Sequence, residues 1–340
     1  MRNERERENK DDFDTASNGT PWLFAKHVLA RQGWKVNATL IDYTGAEPAR
    51  TSLACTVRHR VRSTQTRKAR IRISSLIIQD FVPFEIIDGD YDGGMVLLAD
   101  HAMNRLPNEY GRLGLPENAF TRHIAYDIGV EGLTRQLAAR LNIPAVLGCF
   151  SRLLIDPNRG EDDPTLIMKI SDGAIIPGNY PITNEEWNRR LDTYHRPYHR
   201  AVERTLARAG SSGRAPLVLS LHSFTPAWKG VPRPWHAAVL WDNDPRAVSP
   251  LIEYLREDDA LVIGDNEPYD GALRGDTMYR HCMVSGTPHA LLEVRQDLIG
   301  DDAGITEWAD RLAPISARLN DDPLLHQYHV FPSRTGPYAG

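Results

Sequence analysis

The sequence predicts an α/β fold, a mainly parallel mixed sheet covered by helices on both faces. Three observations predict it. Short apolar runs of strand type alternate with segments of helical period along most of the 340 residues. The runs are apolar at successive positions, as in strands buried on both sides. Right-handed crossovers between such strands place helices on both faces.

The organising stretch is Leu217 to Pro226, LVLSLHSFTP. Leu217 to Leu221 is a buried-strand run that ends in His222 and Ser223, and Pro226 stops it. In open α/β sheets chemistry sits beyond the carboxyl ends of such strands. His222 is therefore placed for work, or else is a histidine satisfied by hydrogen bonds at a strand end. Met95 to Leu98 is a second run, ending in Asp100 and His101. Arg122 to Leu141 reads as a helix, with Gly129, Leu133, Leu137 and Leu141 in one stripe closed by Asn142 and Pro144. Ala145 to Phe150 is the next strand, with Arg152 to Ile155 as a possible continuation. Thr183 to Glu186, TNEE, is a capping box, and Pro197 predicts a kink in the helix that follows. Ala237 to Trp241, Leu261 to Ile263 and His289 to Val294 read as strands. Ala247 to Leu255 and Ile305 to Leu319 read as helices.

Residues 1–78 do not match this pattern and form an N-terminal extension. Its first sixteen residues read as disordered, Pro21 to Trp34 as a short amphipathic helix, and Thr56 to Arg72 as a solvated basic arm. The orderly domain spans 79–320, and a polar, Pro-rich tail covers 321–340. Hydrophobic residues make up 41% and charged residues 25%, with a net charge of -5, which suits a soluble globular chain rather than one that wraps nucleic acid. Cys55, Cys149 and Cys282 are too few and too scattered for a disulfide framework. No run has the length of a membrane span, and the charged N-terminus lacks a signal-peptide core, so a cytoplasmic location is expected.

Three strands end in chemistry: His101, His222 and, in HALLEVRQDL, Glu293. In a parallel sheet these ends share one rim. Two imidazoles with a carboxylate there predict a zinc site with one position open for water. Asp127, in HIAYDIG, is the preferred third ligand, and Asn104 the alternative, since a neutral amide binds zinc less well. Glu293 then either accepts the water's proton or pairs with Arg295. Arg152, Asn158 and Arg159, in SRLLIDPNR, predict recognition of a carboxylate, unless the arginines pair internally with Asp156 or Asp127. Tyr194, His195, Tyr198 and His199 read as helix packing around Pro197, and Asp265 and Asn266 as possible orienting groups.

DHAMNRLP from Asp100, HIAYDIG from His123, SRLLIDPNR from Ser151, LSLHSFTP from Leu219, GDNEPYDG from Gly264 and LEVRQDL from Leu292 together resemble the N-formylglutamate amidohydrolase family. The resemblance runs from about Asp80 to Leu319. It implies a three-layer sandwich like that of zinc carboxypeptidases and zinc-dependent cell-wall amidases. It assigns His222 to zinc, Asn158 and Arg159 to carboxylate binding, and Glu293 to general-base work; Arg152 and Arg295 complete the expected substrate-binding set. The carboxypeptidase His-x-x-Glu is here His101-x-x-Asn104. The cell-wall amidases draw their acid from the following helix, which corresponds to Asp127. The implied partner is a small N-formyl or other N-acyl derivative of an acidic amino acid. A peptidoglycan or peptide amidase, or a binding protein with a decayed site, are the alternative readings.

Overall fold

The computed structural model describes strand backbones at Trp34–Ile41 and Ser52–His59 and residues 81–336. The chain divides into two compact units, Met1–Ile78 and Gln79–Gly340. In the first, the two strands pair antiparallel, with Trp34 opposite His59. The expected disorder of the first sixteen residues and the helix before Trp34 lie outside the described residues. So does most of the basic run, whose Thr56 to His59 close the second strand.

The second unit is built on seven strands: β1 Phe84–Ile87, β2 Met95–Ala99, β3 Ala145–Gly148, β4 Leu217–Phe224, β5 Ala237–Leu240, β6 Ile263–Asp265 and β7 His289–Arg295. Their order across the sheet is β6-β5-β7-β4-β2-β3-β1. The central four, β7, β4, β2 and β3, are mutually parallel. β1 runs against β3, and β5 runs against β7 with β6 parallel to β5. The sheet is thus mixed, with a parallel centre, as the buried apolar runs predict.

Alternation along β4 explains the layers. Leu217, Leu219 and Leu221 join one core, with Leu133 and Leu137 of α1 (Val130–Leu141), Leu251 of α4 (Val248–Leu255) and Leu312 of α5 (Asp302–Asn320). Val218 enters the other core with Tyr198 and Val202 of α3 (Arg196–Ala209). His222 follows Val218 by four residues, so it falls on the α3 face. The chain enters α3 from α2 (Asn184–Arg190) through a π-helical turn, Leu191–His195, just before Pro197, where the kink is expected. Thr183 caps α2 by accepting from the Glu186 N–H at 3.2 Å. Glu186 does not complete the capping box; its carboxylate goes to Arg189 and Arg190.

Two further expectations fail. The helix predicted from Arg122 begins only at Val130. Gly129 has φ 82°, and a Cβ there would collide with the Ile299 carbonyl, so the left-handed turn resets the chain direction. Asp127 precedes the helix, its N–H donating to the His101 carbonyl at 2.9 Å. Arg152 to Ile155 does not extend β3, which stops at Gly148. No described helix is long and apolar enough to cross a membrane.

A candidate metal centre at the carboxyl rim

β2 delivers Asp100 and His101 just beyond its last residue, and Gly148 of the adjacent β3 lets the Asp100 backbone approach where a Cβ would not fit. β4 and β7 pair so that His222 stands directly opposite Glu293. The loop after β3 supplies Arg152, Asp156 and Asn158. All the acidic and histidine members of this group are nearly sealed: His101, Asp127, Asp156, His222 and Glu293 are each under a tenth exposed.

The rings of His101 and His222 meet edge to face, 5.2 Å between centroids. Both Nδ1 atoms converge on Asp127 Oδ2, at 3.3 Å from His101 and 2.8 Å from His222. One ligand atom from each of the three residues lies within 4.8 Å of the others, the single such group among the described residues. Both Nε2 atoms point away, to carboxylates: His101 to Asp156 at 2.7 Å and His222 to Asp100 at 3.1 Å. A carboxylate on the far nitrogen fixes the tautomer and leaves Nδ1 as the lone pair that faces a metal.

The carboxylates are themselves held. Asp100 Oδ1 accepts from Tyr198 and Thr277 hydroxyls, each at 2.7 Å. Asp156 accepts from the Arg152 guanidinium at 2.8 and 3.2 Å and from the Asn158 N–H at 2.9 Å. Arg152 also reaches Asp127 at 3.5 Å. Burial alone would raise the pKa of Asp156 and Asp127. The Arg152 charge, foremost, holds Asp156 well below the usual carboxylate range, and the two imidazoles do the same for Asp127. Burial likewise disfavours an imidazolium, yet Asp100 and Asp127 push His222 well above its ordinary value. Three buried aspartates, Asp100, Asp127 and Asp156, thus surround two imidazoles, and a divalent cation would supply their counter-charge with both rings neutral. Asp127, His101 and His222 fit such an ion in donor type, convergence and outer support.

Glu293 is different. Its Oε2 is buried and has no hydrogen-bond partner among the described residues. Burial pushes its carboxyl up to about 7. It is not paired with Arg295, which forks onto Asp297 at 2.8 and 3.2 Å and donates to the Arg233 and Trp235 carbonyls. Asn104 sends its amide to the Phe120 carbonyl at 2.6 Å, outside the ligand group. Arg159 donates to the Asn158 carbonyl and to Thr165, while Asn158 Oδ1 accepts from the Thr277 N–H. Ser223 Oγ turns to the Ile128 carbonyl, apart from His222. Asp265 and Asn266 serve Trp241 and the turn they belong to.

The sequence reading passed over Asp156 and Asp100 as partners of the histidines. Asp156 stands four residues after Arg152 and reads as a local ion pair, which it also is. The signal that could have found them is that every histidine at such a centre needs an acceptor for its second nitrogen.

Residues 93–300 match the model of the N-formylglutamate amidohydrolase family. The crystal structure of gene product Atu2144 from Agrobacterium tumefaciens is similar at 28% identity and a TM-score of 0.66, over 70% of this chain and 94% of that one. The N-formylglutamate amidohydrolase from Ralstonia eutropha JMP134 shares the fold at 22% identity and a TM-score of 0.54, over 71% of this chain and 98% of that one. A comparison with curated proteins gives no match. Six sequence motifs, a parallel-centred sheet and a family match over most of the second unit agree: the chain belongs to the N-formylglutamate amidohydrolase family and is a hydrolase acting on amides.

Proposed function

We propose that the protein is a zinc-dependent amidohydrolase that removes an N-formyl or other small N-acyl group from an acidic amino acid, with Glu293 as general base. His101, Asp127 and His222 would hold the ion; when bound, it supplies a Lewis acid for the amide carbonyl and lowers the pKa of a water toward 7. Two imidazoles and one carboxylate suit zinc. Glu293 takes a proton from the attacking water at Oε2 and returns it to the nitrogen as the C–N bond breaks, giving the acid and the free amine. Its environment supports this role: a buried, unengaged oxygen on a carboxylate near 7 can both accept and release a proton near neutrality. That lone oxygen opposite His222 is the observation that carries the reading. Asn158 and Arg159 take the substrate's α-carboxylate, by their likeness to the carboxypeptidase segment. Arg152 neutralises Asp156 and Asp127, and Arg295, tied to Asp297, shapes the rim.

The test is formate release from N-formylglutamate by Glu293→Gln and wild-type protein, both loaded with zinc. The variant keeps its metal and loses about 10²- to 10⁴-fold in kcat, the usual worth of a positioned base. Turnover by the wild type rises with pH as Glu293 ionises, and burial alone would place that limb at about 7. A bound cation favours the carboxylate and moves this limb lower, not higher. Undiminished turnover by Glu293→Gln would sink the reading.

A further inference from the structure

Arg233 lies between β4 and β5, just after a small hairpin in which Ala227–Trp228 pairs with Val231–Pro232. It is only 9% exposed. Its Nη1 donates to the Thr225 carbonyl at 3.2 Å and hydroxyl at 2.9 Å, and its Nη2 to the Tyr269 hydroxyl at 2.9 Å. The guanidinium carbon lies 5.0 Å from the Tyr269 ring centroid and 5.8 Å from those of Phe224 and Trp228. It has no acidic partner among the described residues, although Arg152, Arg190, Arg246 and Arg295 all have one. Neutral oxygens and ring faces soften the desolvation of this cation, but none returns a full charge.

Its position gives the vacancy a meaning. Phe224 is two residues past His222 on β4, and Arg295 two past Glu293 on β7; the two pairs are in register. Side chains two apart share a face, and the step is roughly 7 Å. Arg233 packs on Phe224, and its carbonyl accepts from Arg295 at 3.3 Å. It therefore stands one step outward from the general base, on the same face of the sheet.

Tyr269 arrives from the GDNEPYDG segment, which the catalytic reading leaves without a task. Asn266, at φ 51°, clasps this turn: its Oδ1 accepts from the Trp241 N–H at 2.9 Å and the Gly271 N–H at 3.0 Å. The turn carries Tyr269 back to Arg233 with its side 45% exposed. The phenol oxygen accepts from Arg233, so its own proton is free to donate. Two donors, one charged, thus stand side by side at the rim, 2.9 Å apart.

We propose that Arg233 and Tyr269 receive the side-chain carboxylate of the substrate and set the preference for an acidic over an amide side chain. The inference rests on the amidohydrolase reading for the identity of the substrate, with Asn158 and Arg159 taking the other carboxylate. A carboxylate here supplies the counter-charge that Arg233 lacks and an acceptor for the Tyr269 proton.

The test is calorimetric titration of L-glutamate and L-glutamine into the zinc-loaded full chain. The wild type binds glutamate at least about tenfold more tightly, the scale of one charge-assisted hydrogen bond. Arg233→Met closes the gap by lowering glutamate's affinity to that of glutamine. Tyr269→Phe, which removes a single oxygen and spares the packing, narrows it several-fold. A wild type without the gap, or a gap unchanged in both variants, overturns the proposal. Formate release from N-formylglutamate, measured on the same wild-type sample, separates the two claims. No formate with the gap present and Arg233-dependent defeats the amidohydrolase reading alone; formate with an Arg233-independent gap defeats this proposal alone.

Discussion

Two groups of histidines press on the loop that carries Asp156, and their surroundings are opposite. His101 and His222 have a carboxylate against each ring nitrogen. His195, His199 and His281 have only one another and backbone carbonyls. His199 Nε2 donates to the Pro157 carbonyl at 3.0 Å, so its Nδ1 accepts from His281 Nε2 at 2.9 Å. His195 Nε2 donates to the Arg159 carbonyl at 3.0 Å, and its Nδ1 is without a partner among the described residues. The acids push His222 up. Burial pushes His195 and His281 down to about 4 and His199 well below its ordinary value. The same residue type thus forms a candidate ligand set in one place and a neutral strut in the other. What the nitrogens face decides, not how many histidines gather. The struts hold Pro157 and Arg159 from behind, and the loop so fixed offers Asp156 to His101.

Removing the carboxylates should make the first group resemble the second. Asp156→Asn and Asp100→Asn each leave a histidine with a weaker acceptor on Nε2. Each is expected to lower zinc affinity by about 10- to 100-fold while the three ligands stay in place. Competition with a zinc chelator measures this; unchanged affinity in both variants would mean that the outer carboxylates do not tune the centre.

The second group sharpens the contrast through stability, with a smaller effect. His195 is fully buried and held at about 4, against about 6.5 in the unfolded chain. Between those values the unfolded chain binds the proton and the folded one does not, so stability falls as pH drops from 6.5 toward 4. The loss from His195 is on the order of 3 kcal/mol across that window. His195→Asn, whose amide can still donate, should show a shallower loss between pH 7 and pH 4.5 in urea unfolding. An equally steep loss would show that His195 is not a neutral strut.

Much of this was legible in the sequence, and the gaps have physical reasons. β2, β4 and β7 announced themselves because strands buried on both faces are apolar at successive positions, and a histidine or glutamate ending such a run stands out. The start of α1 was misread because Ile124, Ala125 and Ile128 are apolar like the helix, while Gly129 turns the chain before Val130. Asp156 was hidden by its ion pair with Arg152, and Arg233 by carrying no pattern of its own; 36 residues separate it from Tyr269, and only the turn at Asn266 joins them.

The proposed chemistry depends on one centre that takes one ion. Metal content after zinc loading, measured on wild type, His222→Ala and His199→Ala, tests this most directly. One zinc per chain in wild type and in His199→Ala, with none retained in His222→Ala, is the predicted result. Full zinc in His222→Ala, or its loss in His199→Ala with the fold intact, would contradict it.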